Sequence, residues 1–574
     1  MRKATLLTVA LRKCTPHFVS AALFSMGVNL LFLAPTIYMI QISDRVMSSG
    51  SKDTLLFLTL AYALAILTLG ALDYVRSAVL IRAGLRLDRQ LVVQIMGLML
   101  EYANLGGRAP RQRDEMLRAL DEFRGFLTGT GIHAMFDLPW LPIYMLALYF
   151  VHPVVCMVSV AFMLLQTLVT VGAEWWMETP LNQSQAARSS SYGLADSALR
   201  NAEVVAGMGM RDAILEPWHR DRLVMMDYHA VASGRNAMMT ATSKALRLFV
   251  QGLIVAVGSY YVLERSISGG AMFAGMLLIG RATQPLDQIL GTWKMFVGAR
   301  QAYAKLNLFL AAPSPREVSV VLPKPVGVVS VENVAYVPPR AQHPVFSDLN
   351  FALMPGTCLG ILGPSAVGKS CLARLLVGVH KPTKGVVRLD GADVFTWDRR
   401  DFGRYVGYLP QDIELFAGTV AQNITRFRNI EPDAVIAAAK MAGAHEMICK
   451  LPQGYETQVG DSGAILSGGQ RQQVGLARAV FGNPVLVVLD EPNSNLDAEG
   501  EGLLAQCMRR LKEAGTTVVL ISHRPRILEC VELILYMTGG EMRIYTQEEF
   551  FSSAGPGGNL PSFADARGIV LRVP

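Results

Sequence analysis

The segment Gly363-Pro364-Ser365-Ala366-Val367-Gly368-Lys369-Ser370 has residue types and spacing suited to holding a polyphosphate. It fits G-x-x-x-x-G-K-[ST], follows the apolar run Cys358–Leu362 and opens a helical pattern at Cys371–Leu376. That strand–loop–helix context is the one the motif requires. The glycines let backbone N–H groups close around phosphates at a helix N-terminus. Lys369 would bind β- and γ-phosphates, and the Ser370 hydroxyl would hold Mg²⁺. Further along, Val485–Leu489 reads as a buried strand that ends in Asp490-Glu491. Asp490 suits the acid that organises Mg²⁺, and Glu491 suits a general base for an attacking water. An acid pair at a strand end can also be a solvated cap; beside a phosphate loop the catalytic reading is favoured. Leu466-Ser467-Gly468-Gly469-Gln470 precedes the helical pattern Arg471–Val480 and forms a second anion-binding helix start. Taken alone, a Ser-Gly-Gly run is more often a turn.

These groups need a parallel α/β scaffold. From about Val326 short apolar runs alternate with helical patterns (Cys358–Leu362, Leu372–Val377, Val485–Leu489, Val518–Ile521), the texture of buried parallel strands. Prolines 313, 315, 323 and 325 mark a linker before it. The expected organisation is a helical membrane domain over 1–312, a linker over 313–325, a nucleotide-binding domain over 326–550 and a Gly/Ser/Pro-rich tail over 551–574.

The rest of the chain has a different character. Of 574 residues, 51% are hydrophobic and 17% charged, and the net charge is +7; the mean hydropathy is +0.33 and the pI about 9.0. Soluble domains carry about 25% charged residues, and disorder needs low hydrophobicity, so neither class fits. Apolar stretches lie at Val19–Ile42, Thr54–Leu72, Leu138–Ala173 (long enough to cross twice, with His152-Pro153 at the turn), Leu248–Leu263 and Ile267–Gly280, the last continuing past Arg281 toward Val297. Six membrane spans are expected. Arginines and lysines cluster before span one, between spans two and three (Arg76–Arg113) and between spans four and five (Arg188–Lys244). Positive loops stay inside, so both termini and both long loops face the cytoplasm. The basic charge then serves orientation, and a soluble nucleic-acid ATPase is excluded; no nucleic acid is expected as a partner. The seven scattered cysteines show no metal-binding or disulfide pattern and read as reduced structural thiols.

The order of motifs resembles that of ABC transporters: phosphate loop (Gly363–Ser370), Gln411 in Tyr408-Leu-Pro-Gln411, signature (Leu466–Gln470), Val485–Asp490, Ser494-Asn-Leu-Asp497, and His523 in Ile521-Ser-His523-Arg. The resemblance implies a half-transporter that works as a homodimer. In it, Ser467–Gln470 and Asp497 of one copy would cap the ATP held by the phosphate loop of another. It also implies that Gln411 contacts Mg²⁺ and the water and reports to the membrane domain, and that His523 contacts the γ-phosphate. Thr457–Gly463 resembles the loop before the signature that exporters use for cross-talk, with Asp461 where Glu is usual. The family's adenine-stacking aromatic position holds Pro338, and Tyr336 reads as a core residue instead. Within the membrane half, Pro35–Val46, Phe136–Tyr144 and Glu203–Met210 resemble the permease/ATPases of bacterial type I secretion systems, in the shorter protease-exporter branch. This implies export of unfolded protein across the bacterial inner membrane, with a periplasmic adaptor and an outer-membrane channel as partners. A lipid, peptide or small-molecule exporter is the alternative cargo reading, and a nucleotide-gated regulator the alternative class. Read physically, Phe136, Trp140 and Tyr144 form one helix face, Asp44 and Arg45 an exposed pair at the membrane edge, and Arg211–Trp218 a coupling helix docking onto the soluble domain.

Overall fold

The computed structural model describes residues 5–104, 113–312, 322–339, 341–429, 431–460, 463–522, 525–538 and 541–553. They form two compact units, one within Met1–Met99 and Ala109–Pro313, the other within Leu100–Arg108 and Ser314–Pro574.

The first unit is helical. Helices fill Leu6–Leu31, Lys52–Asn104, Leu141–Val151, Pro153–Arg200, Arg211–Leu263 and Gly269–Ala311. The 53 residues of Lys52–Asn104 extend about 80 Å at 1.5 Å per residue, more than twice a hydrocarbon core. Among the described residues four stretches are long and apolar enough to cross a membrane: Leu6–Ser49, Lys52–Tyr102, Thr130–Val151 and Arg211–Leu263. Pro153–Val169 is a shorter apolar stretch inside its helix. The last helix carries Arg281 and Asp287 inside the bundle.

Polar groups within an apolar bundle must find partners there, and two charged clusters do. Arg76 reaches Asp137 at 2.7 Å and Asp73 at 2.6 Å, and it donates to Ser25 at 3.0 Å. Asn29 donates to Asp137 (2.8 Å) and accepts from the Tyr144 hydroxyl (2.9 Å). These groups border a cavity of about 210 Å³ that Arg281 and His133 also line. In the second cluster Asp287 accepts from Arg247 (2.6 Å), Ser243 (2.7 Å) and Gln166 (2.8 Å), joining three helices.

Three sequence readings need correction here. Phe136, Trp140 and Tyr144 do not share a continuous helix face. The helix Thr130–Asp137 stops, Leu138–Trp140 winds as a 3₁₀ turn, and a new helix begins at Leu141. Pro139 and Pro142, which lack the N–H a helix interior needs, account for the break. Asp44 is not tied to Arg45. It lies in a π-helical turn, Ile42–Val46, and accepts from the Ser268 hydroxyl and, at 3.2 Å, from Gly270 N–H. It thereby caps the helix Gly269–Ala311. Arg211–Trp218 is the first part of the long helix Arg211–Leu263; the separate short helix is Ala202–Gly207, closed by Gly209 at φ +64°.

The second unit is α/β. Six strands are ordered β10-β9-β3-β8-β7-β6, with β3 Cys358–Leu362, β6 Val406–Leu409, β7 Leu486–Asp490, β8 Thr517–Ile521, β9 Leu533–Thr538 and β10 Glu541–Thr546. All neighbours are parallel except β9 and β10. Every residue of β3, β7 and β8 is buried. Side chains alternate between faces, and the faces are packed separately: Val487, Leu489, Val518 and Leu520 join one cluster, Leu486, Val488, Val519 and Ile521 the other. That two-sided burial is why these strands read as unbroken apolar runs. Leu372–Val377, by contrast, belongs to the helix Lys369–Leu376 and its cap. A separate antiparallel sheet, β2-β1-β4-β5, comprises β1 Val329–Tyr336, β2 Phe346–Leu353, β4 Lys384–Leu389 and β5 Ala392–Asp393. All seven cysteines are free; burial pushes the thiols of Cys358 and Cys507 up to about 11 and about 12, so they stay protonated and inert.

Candidate nucleotide site

Ligands of open α/β sheets bind at the carboxyl ends of the strands. There the phosphate loop leaves β3 and turns into the helix Lys369–Leu376. Three of its residues have positive φ: Gly363 (+149°), Ala366 (+66°) and Gly368 (+103°). A Cβ at Gly363 would stand 2.2 Å from the Met537 carbonyl oxygen, and one at Gly368 2.4 Å from Val345. Glycine is therefore required at both positions on space as well as on φ. Gly363→Ala is expected to cost about 1–3 kcal/mol of loop strain and, at about 1.36 kcal/mol per ten-fold, to weaken ATP binding by roughly five- to 150-fold. Equilibrium titration of the purified protein with ATP measures it; unchanged affinity would refute it.

Lys369 lies inside the loop, its ammonium donating to the carbonyls of Gly363 (2.7 Å) and Pro364 (2.8 Å). Burial lowers its pKa, against the opposing pull of Glu491 and Asp490. Asp490 at the end of β7 is 1% exposed, and neither carboxylate oxygen reaches a donor at hydrogen-bonding geometry. Burial raises its pKa; the neighbouring Ser370 hydroxyl, Arg374 and Lys369 offset only part of that penalty. A buried, unsatisfied carboxylate beside the Ser370 hydroxyl fits a hard divalent cation. No group of three or more His, Cys, Asp or Glu side chains with metal-holding geometry occurs among the described residues. Such a carboxylate–hydroxyl pair would suit Mg²⁺, which takes one or two carboxylates and draws its remaining oxygens from phosphates and water.

Glu491, next in the chain, holds φ +51°, a left-handed conformation that costs a glutamate on the order of 1–3 kcal/mol. Its N–H donates to the Ile521 carbonyl at 2.9 Å, tying it to β8. Gln411, just past β6, donates to the Glu491 carboxylate at 3.1 Å. The structure thus brings together two side chains that stand 80 positions apart in the sequence.

The signature lies elsewhere. Ser467 caps the helix Gly468–Val480 in a reciprocal box with Gln470 (2.9 and 3.3 Å). Gly469 is close to the Asn495 carbonyl; a Cβ there would stand 3.1 Å from it. No hydrogen bond among the described residues links Ser467–Gln470 to Gly363–Ser370. Asp497 accepts from Gly500 N–H (2.8 Å) and caps the helix Ala498–Glu513, a structural duty its sequence position did not announce. Tyr336 is a core residue, as read: it is buried and its hydroxyl bonds His380. His523 and Asp461 lie outside the described residues.

Nucleotide-binding machinery on one unit and membrane-length helices on the other define a membrane transporter driven by nucleotide hydrolysis. Comparison with known proteins narrows that class. Residues 346–494 match the family described as ABC transporter, and residues 18–286 that described as ABC transporter transmembrane region. The chain is 39% identical to the type I secretion system ATP-binding protein PrsD of Rhizobium meliloti, over 94% of this chain and 93% of that one. It is 29% identical to the cyclolysin secretion/processing ATP-binding protein CyaB of Bordetella pertussis (93% of this chain, 75% of that one). With the leukotoxin export ATP-binding protein LtxB of Aggregatibacter actinomycetemcomitans the identity is 26% (92% and 75%). In fold it is similar to a bacterial Atm1-family ABC exporter with ATP bound, at a TM-score of 0.80 and 21% identity, covering 94% of this chain and 97% of that one. The chain belongs to the ABC transporters, in the group of the type I secretion ATP-binding proteins, and is an ATP hydrolase coupled to transport.

Proposed function

We propose that this protein is the ATP-driven component of a type I secretion system and exports protein across the bacterial inner membrane. The observation that carries the reading is the near-full-length likeness to PrsD, which covers the membrane half as well as the ATPase. The cargo is an unfolded protein with a C-terminal signal, and a periplasmic adaptor and an outer-membrane channel complete the path. The working unit is a homodimer with the ATPase units in the cytoplasm.

The residues divide the work as follows. Backbone N–H groups of Gly363–Ser370 and the Lys369 ammonium hold the phosphates of ATP. Mg²⁺ held by Ser370, Asp490 and Gln411 would neutralise charge on the β- and γ-phosphates. Glu491 takes the proton of the attacking water, and Gln411, bonded to it, orients that water. His523 contacts the γ-phosphate. Ser467, Gly468, Gly469, Gln470 and Asp497 close the site from the second copy, so hydrolysis needs two chains.

The test is ATP turnover of the purified protein in lipid bilayers, with candidate cargoes added. A C-terminal segment of a protein exported by the same bacterium is expected to change turnover in a saturable way. Stimulation by lipid or small molecules alone would overturn protein cargo and leave the ATPase assignment standing.

A further inference from the structure

The signature helix carries one polar residue where its inward face is otherwise apolar. Gln472 is 1% exposed, among buried Val474, Leu476 and Ala477. A buried amide is costly unless both its ends are paired. All of Gln472's partners are backbone atoms of one short segment, the turn that carries Glu491. Its Nε2 donates to the Pro492 carbonyl and, at 3.4 Å, to that of Glu491. Its Oε1 accepts from Asn495 N–H at 3.1 Å. The same turn is held from β8 by the Glu491 N–H and by Ser522, whose hydroxyl donates to the Asn493 side chain at 3.1 Å. Glu491 keeps its left-handed φ because its surroundings over-determine it. One side of that clamp comes from the signature helix, through Gln472.

We propose that Gln472 is a positioning residue for hydrolysis: it fixes the backbone of Glu491 and couples the aim of its carboxylate to the placement of the signature helix. The inference deepens the reading of Glu491 as base and of the sites as shared by two chains, and rests on it. In the shared-site dimer the signature helix closes on ATP held by the other copy. Its movement then reaches the base of its own copy through the Gln472 hydrogen bonds, beside the close approach of Gly469 to Asn495, so that ATP closure at one site sets the geometry of the other.

The experiment uses the full-length protein in lipid bilayers with two variants. Gln472→Met keeps the length and removes every hydrogen bond. Gln472→Glu keeps the acceptor for Asn495 and sets an anionic oxygen against two carbonyls. Both are expected to lower kcat by roughly ten-fold or more, in line with the steep cost of small misplacements at a reacting centre, with the Glu variant at least as impaired. The equilibrium affinity for ATP should stay within about two-fold, and the Hill coefficient for ATP should fall toward one. If kcat stays within two-fold of the parent, or ATP affinity falls in step with kcat, the proposal is overturned. Should the Met variant misfold, the Glu variant decides alone. Glu491→Gln is the control for the underlying reading: turnover kept in that variant would overturn Glu491 as base and with it the role of Gln472, whereas turnover lost there and kept in the Gln472 variants would overturn the coupling alone.

Discussion

Glutamine in place of Glu491 is expected to slow ATP turnover by at least ~10²-fold while ATP still binds, because a positioned general base contributes about 10²–10⁴. Glu491 directly follows a fully buried strand, its N–H is held by Ile521, and its carboxylate accepts from Gln411 at 3.1 Å. Glutamine retains length, shape and one acceptor oxygen for Gln411, so what is lost is the capacity to take a proton. In the proposed division of work nucleotide binding rests on other groups, the phosphate loop and Lys369. Phosphate release measures the first quantity, and equilibrium ATP titration the second. Turnover within ten-fold of the parent would mean that another group takes the proton; a parallel loss of ATP affinity would mean that Glu491 holds the nucleotide instead.

The ATPase half was readable in the sequence because its physics is local. A parallel strand covered on both faces must be apolar throughout, and Cys358–Leu362 and Val485–Leu489 were. The phosphate loop needs glycine where backbone or side chains crowd it, and Gly363 and Gly368 are crowded by Met537 and Val345. The antiparallel sheet escaped because its strands carry polar residues on an open face, and register shifts in β1 break the alternation. Gln472 escaped for a different reason. A glutamine in a helix reads as surface, and only tertiary packing shows that its amide is turned into the Glu491 turn. Asp497 carried a nucleotide role by its place in a motif, while its cap to Gly500 is visible only in coordinates.

The membrane half was legible as spans and illegible as contacts. Hydropathy locates a helix in the bilayer and says nothing of which face meets which neighbour. Asp44 is exposed as its sequence position suggests, but its partner is not Arg45: it caps a helix that begins more than two hundred positions later. Tyr144 looked like part of one aromatic helix face, yet its hydroxyl bonds inward to Asn29, and Asp137 on the same stretch pairs with Arg76. A charge inside an apolar bundle implies a partner; the sequence offers many candidates, and folding selects one.

Removing Arg76 alone should therefore be among the most destabilising single changes in the membrane unit. Its side chain is 6% exposed and that of Asp137 13%, with 2.7 Å between them; the Asp73 side chain, 49% exposed, can be solvated instead. Breaking a buried ion pair from one side costs about 3–5 kcal/mol because the other charge is left unpaired. Arg76→Met keeps bulk and leaves Asp137 with the Asn29 amide as hydrogen-bond donor and, as the remaining opposing charge, the Arg281 guanidinium that lines the same cavity. Adding Asp137→Asn removes the charge and leaves an oxygen for Asn29 to donate to. The double variant should recover at least half of the loss, since replacing both partners of a buried pair is often close to neutral. Thermal unfolding of the detergent-solubilised protein compares the two. Neutral hydrogen bonds between membrane helices contribute about 0.6 kcal/mol on average, so the size of the single-variant loss distinguishes a stranded charge from a lost hydrogen bond. A loss below about 1 kcal/mol, or a double variant no better than the single, would show that Arg76 and Asp137 do not act as a buried ion pair.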